Sequence, residues 1–229
     1  MYMMLVDTSR CISCRACQVA CKMWHVLPPE TNNEPRTDLT GTTFTLVKET
    51  EAEVKRKLMK NGDPVPVVEN KMMRLFFKDQ CRHCVAPKCK AACPNKAISR
   101  EASGAVVVNA ALCNPTLCVD IWGNYPCKLR CPYHILRLDT TLNKMRKCDF
   151  CFDRIRERKF GSTRATACAD ACPSGAIYFG TVKEVVSEAA KRLAKIKNRY
   201  PDARLGGFVN STRVRWILAG TPSLYGLTK

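Results

Sequence analysis

The cysteines nearest the amino terminus, Cys11, Cys14, Cys17 and Cys21, follow the spacing C-x2-C-x2-C-x3-C. Three closely spaced thiolates can hold three irons of one iron–sulfur cubane. In proteins with two such clusters, the fourth thiolate of the run binds the neighbouring cluster instead. This run therefore predicts a cluster site that needs a second run of cysteines elsewhere in the chain.

Three more quartets follow, and the four quartets together account for all sixteen cysteines. They are Cys81, Cys84, Cys89 and Cys93; then, with irregular gaps, Cys113, Cys118, Cys127 and Cys131; then Cys148, Cys151, Cys168 and Cys172. Every quartet ends in C-x3-C, and the last three add a proline directly afterwards. Proline fixes φ and removes a backbone N–H, so it can turn the chain just after the crossing ligand. We interpret the pattern as an internal repeat of one supersecondary unit.

Disulfides and zinc are the alternatives to iron–sulfur clusters. A disulfide framework is typical of short secreted chains, but we expect no signal peptide, because Cys11 comes too early for one. Zinc sites use cysteine pairs, often with histidine, whereas here the cysteines come in quartets and there are three histidines. We therefore predict four [4Fe-4S] clusters. We do not expect His25, His83 or His134 to be ligands.

The chain is basic, with a formal net charge of +18. If four oxidised clusters form, each with its thiolates contributes about −2, which leaves about +10. Such an excess favours an acidic protein partner or an anionic membrane surface. The basic residues are scattered and aromatic residues are few, which argues against nucleic acid as a partner. No apolar run reaches the roughly 18 residues that span a bilayer, so we predict no transmembrane segment.

The elements between the quartets are short. We predict strands at 5–7, 44–49, 65–68, 72–77 and 105–109, and a turn at 61–64. Residues 26–43 are rich in turn-forming residues and should be irregular. We interpret 26–77 as a small β insertion that covers the clusters. The basic run inside 152–167 is predicted to be a solvated loop, with a docking surface as the alternative.

From Thr181 the pattern becomes helical. Residues 181–184 fit a capping box, and apolar residues recur at helical spacing from Val182 to Ile196. The opposite face is charged, so this helix should pack on protein, and Pro201 should end it. Residues 214–218 alternate as a last strand, and 220–229 should form an extended arm. The fold class predicted from these elements is α+β.

Four quartets can pair in three ways, and the residues alone leave all three open. The arrangement resembles the four-cluster ferredoxin-type electron-transfer subunits of molybdenum or tungsten bis-pterin oxidoreductases. That family includes small subunits of formate dehydrogenases and of sulfoxide, polysulfide and nitrate reductases. Residues 6–11, 17–25, 76–84 and 147–155 are most similar to soluble formate dehydrogenase small subunits. The third quartet departs from the usual short spacing.

The resemblance implies two pseudo-symmetric bacterial-ferredoxin-like lobes, with the first quartet paired with the fourth and the second with the third. The four implied ligand sets are group 1 (Cys11, Cys14, Cys17, Cys172), group 2 (Cys21, Cys148, Cys151, Cys168), group 3 (Cys81, Cys84, Cys89, Cys131) and group 4 (Cys93, Cys113, Cys118, Cys127). Residues 1–25 with 145–180 would form one lobe and 78–144 the other. Residues 181–229 would add the helix and tail.

The function implied is that of a non-catalytic subunit. It would relay electrons between a large catalytic subunit bearing the metal–pterin cofactor and a further carrier: a cytochrome, a ferredoxin or a membrane subunit. The alternatives are a subunit serving another substrate (polysulfide, sulfoxide or aldehyde) and a free polyferredoxin shuttle. An enzyme with a substrate-binding cluster would need an open iron, and no quartet is incomplete. Relatives imply either a cytoplasmic location or export together with a partner that carries a signal.

Overall fold

The computed structural model describes residues 1–29, 36–58, 67–157, 165–207 and 211–227. Its helices are α1 (Ala16–Trp24), α2 (Lys88–Ala91), α3 (Pro126–Leu129), α4 (Phe152–Glu157), α5 (Ala167–Asp170) and α6 (Val182–Lys197). Its strands are β1 (Tyr2–Asp7), β2 (Thr45–Leu58), β3 (Val67–Gln80), β4 (Ile98–Arg100), β5 (Val106–Val108), β6 (Arg137–Asp139), β7 (Lys144–Arg146), β8 (Ile177–Thr181), β9 (Arg204–Gly206) and β10 (Val214–Leu218). The predicted α+β class is confirmed.

A four-stranded sheet in the order β8–β1–β10–β9 joins the two ends of the chain. β1 pairs in parallel with β10 and antiparallel with β8. Every residue of β10 is buried, as is most of β1, so apolar side chains fill both faces of the central strands. β1 leads into the first quartet and β8 follows the fourth. The sheet therefore holds these two quartets side by side, although they are far apart in sequence.

Helix α6 packs on this sheet and begins with the predicted capping box. The Glu184 N–H donates to Thr181 Oγ1 (3.3 Å), and the Thr181 N–H donates to Glu184 Oε2 (2.7 Å). Its buried side chains, Val185 and Ala189 among them, face β8 and β1. Arg192, on the same helix, donates to the carbonyl of Gly175 (2.9 Å). The helix thus supports the turn that follows Cys172.

The β insertion is one long hairpin. β2 and β3 pair without interruption from Thr45↔Gln80 to Leu58↔Val67. The strand predicted at 44–49 is therefore too short. Residues 67–68 of the strand predicted at 65–68 and the strand predicted at 72–77 belong to one element, and residues 65–66 lie outside the described residues. The middle of β3 is polar and exposed, so it lacks the alternation that identifies a strand. The predicted turn at 61–64 lies outside the described residues.

The carboxyl-terminal tail is not an extended arm. Residues Pro222–Tyr225 form a 3₁₀ turn, and Tyr225 is buried. The Tyr225 hydroxyl lies 3.1 Å from Thr8 Oγ1 and accepts a hydrogen bond from the Ala219 N–H (3.1 Å). The tail folds back because one aromatic side chain finds both an apolar environment and two polar partners.

The solvated loop predicted inside the fourth quartet is also wrong for residues 152–157. These form α4, which turns Arg154 into the protein, where its side chain is buried. Its Nη2 donates to Asp170 Oδ2 (3.2 Å), and its guanidinium lies over the Trp24 ring (4.6 Å). Residues 158–164 of the predicted loop lie outside the described residues, and residues 165–167 are buried, which also contradicts a solvated loop there.

Candidate iron–sulfur sites

Three quartets end in the same local structure. Cys89, Cys127 and Cys168 each occupy the second position of a one-turn helix, and the crossing cysteine and its proline follow. The turn is then closed by an N–H donating to the carbonyl of the crossing cysteine: Lys96 to Cys93 (3.1 Å), His134 to Cys131 (3.0 Å) and Gly175 to Cys172 (3.2 Å). The repeat interpreted from the C-x3-C-P endings is therefore a repeat of backbone conformation.

The beginnings of three quartets share a second conformation. The residue just before the second cysteine is left-handed in each: Ser13 (φ 56°), His83 (φ 47°) and Phe150 (φ 65°). The left-handed backbone conformation costs free energy for residues other than glycine. Its use at the same point in three quartets indicates that the position of the thiols determines the backbone there.

Three cavities are each lined by one predicted group of four cysteines. Group 1 lines one cavity, group 3 lines a second and group 4 lines a third. Each therefore combines three cysteines of one quartet with the last cysteine of another. The identical donor sets fit one kind of bound group.

The cysteines of group 2 also lie together, and all four are buried. Burial raises the pKa of the Cys21 thiol, and the charges of Cys148 and Cys168 raise it further. Burial also raises the pKa of the Cys151 thiol, and the negative charge of Cys168 raises it further. Cys21 of the first quartet is therefore among the thiols of the fourth.

The four groups form a row. Burial raises the pKa values of three thiols, Cys17, Cys148 and Cys127, to about 12 each, and a thiolate of an adjacent group contributes to every increase. The contributing neighbour is Cys168 for Cys17, Cys81 for Cys148 and Cys89 for Cys127. Group 1 thus adjoins group 2, group 2 adjoins group 3, and group 3 adjoins group 4.

Bound metal would change the charge of these buried thiols. A buried thiol with a raised pKa stays protonated at neutral pH, whereas binding of a metal deprotonates it. Backbone N–H groups point at several sulfurs, from Ala97 to Cys93 Sγ (3.3 Å), Met145 to Cys113 Sγ (3.4 Å) and Ala167 to Cys151 Sγ (3.4 Å). Such hydrogen bonds stabilise ligand charge and tune cluster potentials.

Two buried lysines, neither of them predicted from the sequence, lie beside the thiols. Lys78 lines the cavity of group 1, and its Nζ donates to Gln80 Oε1. Lys147 lines the cavity of group 3, and its Nζ donates to the carbonyls of Val106 and Cys148. Their charges offset part of the negative charge that a cluster with four thiolates carries. The adjacency of Lys147 to Cys148 was the one available signal in the sequence.

Two histidines lie near the thiols. His25 Nε2 is 3.3 Å from Asp149 Oδ1 and 4.0 Å from Cys151 Sγ. His83 is fully buried, and its Nδ1 accepts a hydrogen bond from the Val106 N–H (3.0 Å). Its ring stacks on Phe150 (3.7 Å between centroids), which joins the second quartet to the fourth. It remains a prediction that neither histidine is an iron ligand. The same holds for His134, which is exposed.

A buried ion pair joins the residues on either side of Gln80 and Cys81, at the start of the second quartet. Arg82 Nη1 lies 2.6 Å from Asp79 Oδ1, and both side chains are buried. The guanidinium also packs over the ring of Trp216 (4.7 Å). Lys48 Nζ contacts the same carboxylate (2.8 Å). Burial would raise the pKa of Asp79, but the charges of Arg82 and Lys48 hold it below its usual value.

Comparison with known proteins gives two family matches and several relatives. A 4Fe-4S dicluster domain matches residues 72–182, and a 4Fe-4S binding domain matches residues 2–23. The sequence is 36% identical to the formate dehydrogenase subunit beta of Megalodesulfovibrio gigas, over 96% of this protein and 94% of that one. It is 35% identical to the iron-sulfur subunit of the nitrate-inducible formate dehydrogenase of Escherichia coli (98% and 71%). It is 29% identical to one of the polypeptides of the anaerobic dimethyl sulfoxide reductase of Escherichia coli (80% and 75%).

Proposed function

Because this protein belongs to the family of iron–sulfur subunits of formate dehydrogenases, we propose that it relays electrons between a formate-oxidising catalytic subunit and a second redox partner. Its cofactors are four [4Fe-4S] clusters, in agreement with the matched domains and the sixteen cysteines. Bound clusters supply one-electron oxidation and reduction. The catalytic subunit would carry the molybdenum or tungsten pterin cofactor.

We assign one cluster to each group. The ligands would be Cys11, Cys14, Cys17 and Cys172; Cys21, Cys148, Cys151 and Cys168; Cys81, Cys84, Cys89 and Cys131; and Cys93, Cys113, Cys118 and Cys127. The observation that carries the proposal is the row of thiol groups, because a row of adjacent sites is what conduction requires. A catalytic site would instead need an open metal position. The domain boundaries given above remain part of this proposal.

The two ends of the row differ from its middle in exposure. Cys14 of group 1 is exposed, and Cys93 and Cys118 of group 4 are partly exposed. Every cysteine of group 2 is buried, as are three of the four in group 3. Electrons would therefore enter and leave at groups 1 and 4. Groups 2 and 3 would conduct between them, shielded from water.

The chain's own residues hold the sites and set their electrostatics. N–H groups donate to the sulfurs, and the buried ammonium groups of Lys78 and Lys147 lie beside group 1 and group 3. Both favour the more negative, reduced form of a bound cluster. No described side chain in these cavities needs to act as an acid, a base or a nucleophile.

We place the catalytic subunit at group 1. Three large apolar side chains, Ile12, Val19 and Met23, are exposed on the stretch of chain that carries the exposed residue Cys14. Exposed apolar residues that cluster on a soluble surface mark interaction sites. A subunit bound here would cover group 1 and bring its own redox centre close to the first cluster. Among the described residues, no helix is both long enough and apolar enough to cross a bilayer.

Co-purification with the catalytic subunit tests the proposal. The variant Met23→Glu places a charge in the proposed interface, and Met72→Glu is its control on the hairpin, since the two methionines are 76% and 61% exposed. We expect Met23→Glu to lose the co-eluting large subunit while keeping its clusters, and Met72→Glu to retain both. A wild-type protein that purifies alone with full cluster content would favour a free polyferredoxin. Equal retention by both variants would refute the assignment of this surface.

A further inference from the structure

A tight turn lies between Cys118 and Cys127, two cysteines of group 4. The Asp120 carboxylate accepts hydrogen bonds from the N–H groups of Trp122 (3.0 Å) and Asn124 (2.7 Å). The Asp120 N–H in turn donates to the carbonyl of Asn124 (2.9 Å). Gly123 supplies the left-handed conformation (φ +78°) that closes the turn. These bonds fix the backbone of the turn without help from packing.

The turn presents large apolar side chains to the solvent. Ile121 is 89% exposed and Trp122 is 77% exposed. Leu117 and Leu129, which flank the turn, are also exposed. Single exposed apolar residues are normal, but four on one short, ordered stretch mark an interaction site. An exposed tryptophan on an ordered turn is the kind of residue that anchors protein interfaces.

This Trp122 surface (Leu117, Ile121, Trp122 and Leu129) belongs to the stretch of chain that supplies two cysteines to group 4, the last group of the row. The stretch that carries it includes the ligands Cys118 and Cys127 of group 4. Cys118 is only partly buried. A molecule bound on the Trp122 surface would therefore lie next to the outermost thiols and far along the row from the surface assigned to the catalytic subunit.

Exposed basic side chains flank the Trp122 surface on the side of α3 and α2. Lys128 and Arg130, at the end of α3, are exposed, and α3 contacts α2, which exposes Lys88 and Lys90. The one acidic residue between 112 and 130 is Asp120, and its carboxylate is engaged by the turn. The apolar residues thus have a basic rim, which is complementary to an acidic rim on a partner.

We propose that the Trp122 surface docks the second electron-transfer partner, a redox protein with an apolar patch and an acidic rim around its redox centre. The inference rests on the proposed function and specifies where and to what kind of protein the electrons leave. One electron would pass from the cluster at group 4 to the partner's centre. The cluster is oxidised by one electron and the partner is reduced by one, and no bond forms or breaks.

The test uses the full chain with its clusters loaded and chemically reduced, and a small acidic b-type cytochrome as the probe. Stopped-flow measurement of haem reduction gives a second-order rate constant for wild type, Trp122→Ala, the pair Lys128→Glu with Arg130→Glu, and the control Met72→Ala. Iron content and cluster paramagnetic resonance are measured on every sample. A basic cytochrome c serves as the control probe.

We expect Trp122→Ala to slow reduction of the acidic cytochrome about tenfold or more, as for an aromatic anchor, with clusters unchanged. The double charge reversal should slow it further and remove its salt dependence, while Met72→Ala behaves as wild type. The basic cytochrome should react slowly with wild type, Trp122→Ala and Met72→Ala, and faster with the double charge reversal. Equal rates for wild type and Trp122→Ala, or faster reaction of wild type with the basic cytochrome, would overturn the proposal.

Two further outcomes separate this proposal from the function on which it rests. If Trp122→Ala loses the co-eluting catalytic subunit, the surface belongs to that subunit and the assignment to a second partner is wrong. If the reduced, fully loaded wild type reduces neither cytochrome, the electron-transfer function itself fails, and both proposals fail with it. Normal reduction by wild type with an unaffected Trp122→Ala overturns the docking surface alone.

Discussion

Replacing Asp79 by asparagine tests whether the buried ion pair beside the second quartet holds group 3 in place. The variant leaves Arg82, whose side chain is 7% exposed, without its counter-charge. Breaking a buried pair from one side costs about 3–5 kcal/mol, because the remaining charge stays buried. Asparagine keeps an acceptor and the Gln80 carbonyl still binds Arg82, so we expect a loss near the lower end, about 3 kcal/mol. Arg82 directly follows Cys81, so the cluster of group 3 should be released first.

The matched control is Glu51→Gln, which removes an exposed pair on the same hairpin. Glu51 Oε1 lies 3.2 Å from Arg74 Nε with both side chains largely exposed, and such pairs contribute about 0–1 kcal/mol. Loss of cluster absorbance is followed anaerobically against urea. With a slope of about 3 kcal/mol per molar, Asp79→Asn should lower the midpoint by about 1 M. A midpoint equal to that of Glu51→Gln would refute the reasoning.

Three further predictions follow from the same structure. Anaerobically reconstituted protein should contain about 16 iron and about 16 acid-labile sulfide per chain; chemical analysis near 12 iron would mean that the irregular third quartet is not a normal site. Chelation under oxidising conditions should abolish cooperative unfolding, because cluster binding supplies much of the folding free energy; native circular dichroism without iron would contradict this. Tyr225→Phe should leave the buried Ala219 N–H unpaired, destabilise the fold by about 1–2 kcal/mol and speed hydrogen exchange in the tail; exchange at the wild-type rate would show that the hydroxyl contributes nothing.

The elements predicted correctly carry their signals locally. Helix α6 has its capping box and apolar period within one stretch, and β10 has large apolar residues at its first, third and fifth positions. The quartets are likewise visible as spacings, because a cubane needs thiols at fixed separations along the chain. The sequence therefore sufficed for the fold class and for the number of clusters.

The features that were missed depend on contacts between distant residues. Arg154 belongs to a charge run in sequence, and only the rings and carboxylates of other elements make it a buried residue. Tyr225 is one aromatic residue in a short tail, and Thr8, one of its two polar partners, lies at the other end of the chain. Lys78 occupies a strand whose polar middle hid the strand itself. In each case tertiary packing, and not local pattern, determines the environment.

The central claim is that each lobe's quartets exchange their last cysteines, and single serine variants test it most directly. Serine offers a harder oxygen ligand, so the affected cluster should shift in potential or be lost. Electron paramagnetic resonance is recorded on Cys14→Ser, Cys172→Ser, Cys21→Ser and Cys151→Ser. Cys172→Ser should disturb the same signal as Cys14→Ser, and Cys21→Ser the same signal as Cys151→Ser. If Cys172→Ser instead disturbs the signal lost in Cys151→Ser, each quartet binds its own cluster and the crossed arrangement is wrong.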